Sequence, residues 1–373
     1  MRRAFVTSCV LLGLWLAAAE PGHGIPVGEP RKGDYLGPLS ALEECLFADA
    51  ADGQLDEFSL LEAALIAGGV QRPGELKRRR RQLAEMVEEF RRTGKVTGSA
   101  RRRAETVLQL MHHRVLYAGY AAGCSDLRQA IDSGHFNCIS ATVLFNCLAA
   151  EFELETCGLE IPGHALSRLV LPRGPLDLET TCPQWFRLID NPESQAEALG
   201  RTVGHISPQA RRKLREVSAV QLAAMIYYNR GVDLLAAKRF AAAAAANAKA
   251  LLLDPQSTTA RGNLLAVLNN WAIELGAAGR HAEAAALLRQ GLAFEASYEP
   301  FSLNYVYVHY EWVEDLCGKG RFHEALAVLA RAAEELPESD YFRLATDDVR
   351  RRWTTSTGRR TVSNPCNLTI PDR

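Results

Sequence analysis

Three residues near the middle of the chain have the types and order of a nucleophile, a base and an orienting acid: Cys138, His164 and Glu179. Cys138 follows Asn137, a competent helix N-cap, and opens an apolar run, CISATVLFNCL, with no carboxylate in its first turn. A thiol there sits at the positive end of the helix dipole, where the thiolate form is favoured. His164 comes directly after the turn residues Pro162-Gly163, and Glu179 follows a second turn, Pro172-Arg173-Gly174-Pro175. In such a set His164 accepts the thiol proton, while Glu179 fixes the imidazole tautomer and stabilises the charged ring. The chemistry this predicts is acyl transfer: attack on a carboxamide or peptide carbonyl, a thioester, then capture by an amine or by water. Asp177, two residues before Glu179 on the same strand face, is an alternative third member, and His135, three residues before Cys138, is a competing base. No side-chain donor for the oxyanion can be named from spacing; Gln129 lies upstream with nothing to fix its position.

Positioning these groups requires a helix and a small sheet. An apolar helix is expected over 139–151, followed by short β-competent runs at 154–161, 164–171 and 176–181. Bounded by Pro and Gly, these runs predict an antiparallel meander. Residues 39–130 carry apolar positions at spacings of three and four, among them Leu39, Leu42 and Leu46, Leu83, Met86, Val87 and Phe90, and Val107, Leu108 and Met111. Such spacing marks helices with one buried face. The arginine runs at 78–81 and 101–103 alternate with glutamates and are expected on solvated faces with intrahelical pairs.

From about Ser207-Pro208, a hydroxyl cap followed by proline, the chain is helical again and repeats. Lys238-Arg239-Phe240, Gly279-Arg280-His281 and Gly320-Arg321-Phe322 recur every 41 residues, bringing Ala243, Ala284 and Ala325 into register, then Ala250, Gly291 and Ala332, then Pro255, Ala296 and Pro337. Small residues where two antiparallel helices touch, and a breaker after the second, predict stacked helical hairpins. After about Trp353 the periodicity is lost and a loosely held tail is expected.

The stretch NRGVDLLAAKRFAAAAAANAKALLLDP (229–255) resembles a tetratricopeptide repeat (TPR) from its glycine to its proline; the 41-residue period exceeds the usual ~34, which implies an extended first helix. Asn137-Cys138 with Ala141 and Leu144, then Gly163-His164-Ala165, then Glu179-Thr180-Thr181 resemble the transglutaminase-like branch of papain-fold cysteine enzymes over residues 120–185. The acid of that family is usually Asp, and here Glu179 takes its place. A helical N-terminal part, this core and C-terminal repeats are together similar to bacterial SirB-like proteins. The resemblance implies a cysteine acyl-transfer enzyme acting as a crosslinker, a deamidase or a protease, with a groove in the repeats for a protein or peptide partner. The alternative is a catalytically inactive interaction scaffold.

The 373 residues allow about two domains, with an ordinary 47% hydrophobic and 23% charged content. Lys and Arg number 43 against 44 acidic residues, a balance that argues against a nucleic-acid or other polyanion partner. Met1-Arg2-Arg3, the apolar run 4–16 and Ala17-Ala18-Ala19 read as a signal peptide cut after Ala19. The expected protein is exported, periplasmic or secreted; an uncleaved membrane anchor is the alternative, and no later segment is expected to span a membrane. Eight cysteines outside the signal would allow four bridges in an oxidising compartment, Cys147 with Cys157 among them, although the chain is long enough to fold without staples. No Cys/His spacing suits zinc, adjacent His112-His113 do not share a helix face, and no glycine loop cradles a nucleotide, so neither metal nor cofactor is expected. Asn367-Leu368-Thr369 fits a glycosylation sequon. The fold class expected is α+β: signal peptide 1–19, linker 20–38, helical part 39–130, transglutaminase-like core 131–206, a helical-repeat solenoid over 207–345 and a tail over 346–373.

Overall fold

Short polar side chains begin most of the helices that surround the sheet. In the structure, a computed structural model that describes residues 35–202 and 214–362, Ser40 and Ser59 close capping boxes with Glu43 and Glu62. They start α1 (Ala41–Asp49) and α2 (Leu60–Ala67). Pro73 opens α3 (Pro73–Arg92), and Ser99 caps α4 (Ala100–Arg114). The signal segment, the Ser207-Pro208 helix start and the sequon at Asn367 lie outside the described residues.

Helix α3 buries Leu76, Leu83, Val87 and Phe90 and turns most of its arginines to solvent. Arg79 departs from the expectation of intrahelical pairing. It is buried and reaches across to Asp132, its Nη1 2.5 Å from Oδ1 and its Nη2 2.7 Å from Oδ2.

Beyond α4, β1 (Gly119–Tyr120) pairs in parallel with β2 (His135–Phe136), and α5 (Leu127–Ser133) forms the crossover. Next comes α6 (Cys138–Glu151), buried from Cys138 to Ala149 on every side. A helix enclosed all round needs no amphipathic stripe, which explains its almost wholly apolar sequence. One side rests on β3 (Thr156–Ile161) and β4 (His164–Leu169); α2, α4 and α5 surround the rest. Ile161 pairs with His164, so Pro162-Gly163 form a two-residue turn, and Gly163 takes the φ of +81° that such a turn requires. Following β5 (Leu176–Leu178), α7 (Trp185–Leu188) and α8 (Pro192–Thr202), β6 (Arg215–Val217) returns to the far side of β3. The sheet order is β5-β4-β3-β6, antiparallel throughout. The three expected strands are present, with the third ending at Leu178 rather than Thr181; β6 was not foreseen. The molecule is thus mostly helical with one small antiparallel sheet.

Helices follow: α9 (Ala219–Ala236) and α10 (Phe240–Leu253), packed as a hairpin; α11 (Thr258–Ala277) and α12 (His281–Phe294); then α13 (Glu299–Gly318) and α14 (Phe322–Glu335), again packed together. Helix α15 (Asp340–Val362) comes last. The chain divides into two compact units at Leu264/Leu265, within α11. The first hairpin therefore belongs with the sheet and does not open a separate module at 207. Its α9 packs against α2 and α6, and its tyrosines bond to buried acids: Tyr227 Oη donates to Glu43 at 3.1 Å and Tyr228 Oη to Glu160 at 3.0 Å.

In the second unit the small residues sit where helices touch: Ala284, Ala325 and Ala332 are fully buried, and Gly291 meets the ring of Phe301. The tail expected from residue 346 is instead helical to Val362. Phe342, Val349 and Trp353 form a thin apolar line along α15, and Trp353 stacks on Phe322 at 6.4 Å and 9°. Surrounding arginines and aspartates hide that line from a periodicity count.

Two glycines give opposite expectations. A Cβ on Gly291 would lie 2.6 Å from the buried ring of Phe301, whereas one on the exposed Gly262 would meet nothing within 4 Å. Alanine gains about 1 kcal/mol of helix propensity over glycine at either site. At Gly291 the overpacking cost of roughly 1–3 kcal/mol outweighs that gain. Urea denaturation is expected to show Gly291→Ala less stable and Gly262→Ala more stable than the parent.

Candidate active site

Cys138 is held by an N-terminal cap with little freedom. Asn137 Oδ1 accepts from the amides of Ile139 (2.9 Å) and Ser140 (3.1 Å), and the Asn137 amide donates to Ser140 Oγ at 3.0 Å. The cap is tied to the preceding loop, Asn137 Nδ2 donating to the Ala122 carbonyl at 2.9 Å and Ser140 Oγ to the Cys124 carbonyl at 2.7 Å. The first turn of a helix leaves its amides without intrahelical partners. Here Ile139 and Ser140 are satisfied by the cap, while the Cys138 N–H has no partner among the described residues. A free donor thus adjoins the sulfur.

His164 and Glu179 meet inside the protein. His164 Nε2 lies 2.7 Å from Glu179 Oε2, with both side chains only 1% exposed. The other oxygen, Glu179 Oε1, accepts from the Thr181 amide at 3.1 Å and from Thr181 Oγ1 at 2.6 Å, so the carboxylate is oriented from both ends. His164 Nδ1 is buried without a hydrogen bond of standard geometry, and with Nε2 engaged it is the nitrogen available to Cys138. Burial opposes the charged ring. Hydrogen bonding to the Cys138 sulfur and to Glu179, with the charge of both, outweighs burial and pushes His164 up to about 10. The sulfur contact is looser than a formed hydrogen bond; nucleophile–base contacts of this kind tighten once substrate closes the site.

The end of β5 separates the two candidate acids. Asp177 lies within the strand and forms a two-point pair with Arg168 on β4, Oδ1 to Nε 2.6 Å and Oδ2 to Nη2 2.9 Å, with Glu216 on the far side of the same guanidinium. The strand stops at Leu178, so Glu179 escapes the strand alternation and turns inward to His164. The two do not share a face. The structure therefore brings together Cys138, His164 and Glu179, and not Asp177.

Two buried polar links attach α6 to the sheet. Thr142 and Thr180 share a hydroxyl hydrogen bond of 2.8 Å, and Ser167 Oγ donates to Asn146 Oδ1. Cys138, Thr142 and Asn146 lie four residues apart and so share one helix face. That polar stripe in an apolar helix is a signal legible in the sequence. His112 has a role that its spacing beside His113 does not reveal. It is buried, and its Nε2 donates to the Thr180 carbonyl at 2.8 Å, holding the segment that presents Glu179. Burial lowers its pKa, so it stays a neutral donor. Trp185 Nε1 secures the same segment from the other side, donating to the Asp177 carbonyl at 2.9 Å.

The remaining candidates fall elsewhere. His135 and Gln129 are exposed, on β2 and α5. Cys147 and Cys157 do not bridge each other, and no disulfide joins the described cysteines. Burial first, then Glu151, raises Cys147 to about 12, an inert thiol. Among the described residues no three His, Cys, Asp or Glu side chains gather as a metal site. Buried thiol, imidazole and carboxylate in sequence make a proton relay able to support nucleophilic acyl chemistry. No family model matches the chain, and no curated protein matches it at a significant level.

The charge environment predicts the titration of His164. Its ring should remain protonated through neutrality, losing its proton only as pH rises well above 7. Cys138→Ala and Glu179→Gln each remove a group that raises the ring's pKa and should lower the midpoint, by roughly one to three pH units. The pH dependence of the ring Cε1–H resonance measures this.

Proposed function

We propose that this protein is a cysteine acyl-transfer enzyme of the transglutaminase-like, papain-fold kind, its later helical hairpins serving as a TPR-type module for a protein or peptide partner. The observation that carries the reading is the imidazole of His164 engaged by Glu179 through Nε2 at 2.7 Å, which leaves Nδ1 for the sulfur of Cys138. In this reading His164 takes the thiol proton of Cys138. The thiolate attacks the carbonyl carbon of an amide; the carbonyl π pair moves to oxygen, where the Cys138 N–H receives it. On collapse the C–N bond breaks, and the imidazolium proton goes to the departing ammonia or amine. The resulting thioester is opened by an amine, giving a crosslink, or by water, giving deamidation or peptide hydrolysis, with His164 taking the incoming proton. Glu179 serves as the orienting acid throughout.

The length of the first helices supports the repeat assignment: α11 and α13 each have 20 residues before second helices of 14. Export through residues 1–19 rests on the charged, apolar and small-residue order of that segment, and the mature chain would begin at Glu20. No helix among the described residues is long and apolar enough to cross a membrane. The unbridged cysteines suit a fold that does not depend on an oxidising compartment.

One observation favours the other reading, a binding scaffold with a retired centre: Cys138 is only 8% exposed. Thiol reactivity separates the two. In the enzyme, Cys138 alkylates faster than any other cysteine, and His164→Ala slows it by on the order of tenfold or more at pH 7. An inert Cys138 would leave the scaffold. Mass spectrometry of a glutamine-bearing peptide then assigns the reaction: a gain of added amine for crosslinking, conversion to glutamate for deamidation, cleavage for proteolysis. The intact mass of the exported chain is expected to match a start at Glu20; retention of residues 1–19 would mean an anchor.

A further inference from the structure

We propose that the Tyr120 hydroxyl is the side-chain donor of the oxyanion hole, acting with the Cys138 N–H on the oxygen of the attacked carbonyl. The inference rests on the acyl-transfer reading above. Tyr120 lies on β1 in register with Phe136, two residues before Cys138, and the Ala121 amide donates to the Phe136 carbonyl at 2.7 Å. The links from Asn137 to Ala122 and from Ser140 to Cys124 clamp the following loop onto the start of α6. Its ring stands edge-on to Phe136, at 6.1 Å and 87°, which fixes the direction of the phenol. The hydroxyl lies near the Cys138 sulfur without a formed hydrogen bond to it, and Glu179 is near enough to act on it by charge.

An oxygen on the carbon bonded to sulfur lies two bonds from that sulfur. A donor near the resting sulfur is therefore close to where the oxyanion forms. Burial first, then the charge and hydrogen bonding of Cys138 and the charge of Glu179, hold the phenol well above its ordinary pKa. Tyr120 thus remains a donor at working pH and transfers no proton. When sulfur bonds to the carbonyl carbon, the π pair shifts to oxygen and is received by the two donors. When the C–N bond breaks, the pair returns to re-form the carbonyl. Half-buried Tyr120 is open enough for substrate to approach.

The test is Tyr120→Phe in the full chain, which keeps the ring against Phe136 and removes only the hydroxyl. Two reactions of Cys138 are compared: acylation by p-nitrophenyl acetate, which passes through an oxyanion, and alkylation by iodoacetamide, which displaces iodide at a saturated carbon and forms none. Acylation is expected to slow by on the order of tenfold to a thousandfold, while alkylation stays within about threefold. A thermal melt checks folding, because the thiols of an unfolded chain would alkylate as well. Acylation of Y120F at the parent rate overturns the proposal. So does an equal loss of both reactions in a folded Y120F, which would make Tyr120 a support for the sulfur alone. A parent protein that alkylates rapidly but is never acylated fails the acyl-transfer reading itself, and the hole with it.

Discussion

The buried pair of His164 and Glu179 is the constraint around which the site is built. Taking a carboxylate and an imidazolium out of water costs several kcal/mol per ion unless close geometry and further hydrogen bonds offset it. Both side chains are 1% exposed, and the offset is visible atom by atom: Glu179 receives His164 on one oxygen and the amide and hydroxyl of Thr181 on the other. Removing any of these would strand a charge. The segment bearing Glu179 is accordingly tied on both sides, to His112 and Thr142 through Thr180 and to Trp185 through the Asp177 carbonyl. Several buried polar groups thus hold one carboxylate still.

Cys138 is placed by a different means. Its helix is buried on all sides, so shape and apolar packing locate the axis, while the Asn137–Ser140 box and its ties to Ala122 and Cys124 set where the helix begins. A helix start is the one place where backbone amides are available in the interior. Satisfying Ile139 and Ser140 but not Cys138 leaves a single donor, and it adjoins the nucleophile. The hairpins use simpler physics, with alanines and one glycine letting helices approach closely. The first hairpin is bound to the sheet unit through Tyr227 and Tyr228, whose hydroxyls need the buried acids Glu43 and Glu160.

Much of this was legible. Asn137 before an apolar run announced the helix and its cap, and Pro162-Gly163 placed His164 at the head of a strand. The 41-residue register of Phe240, His281 and Phe322 gave helices that begin at those three residues. The choice between Asp177 and Glu179 was not legible, because alternation gives them one face only while the strand continues. It stops between them, and Arg168 on the neighbouring strand takes Asp177. Strand β6 is three residues long and follows a segment with no periodic signal, so nothing local marked it. The apolar line of α15 was too thin to register among its charges.

Sequence alone determined the residue types capable of chemistry, the local elements bearing them and the period of the hairpins, since capping, turn formation and amphipathic spacing act over a few neighbouring residues. Tertiary structure decided which acid meets the imidazole, which buried histidine braces that acid, and that the tyrosine of a two-residue strand packs on Phe136 at the start of α6. These contacts join residues separated by 15 to 68 positions. They depend on how α4, β1 and the end of β5 pack around α6, and spacing along the chain carries no record of that packing.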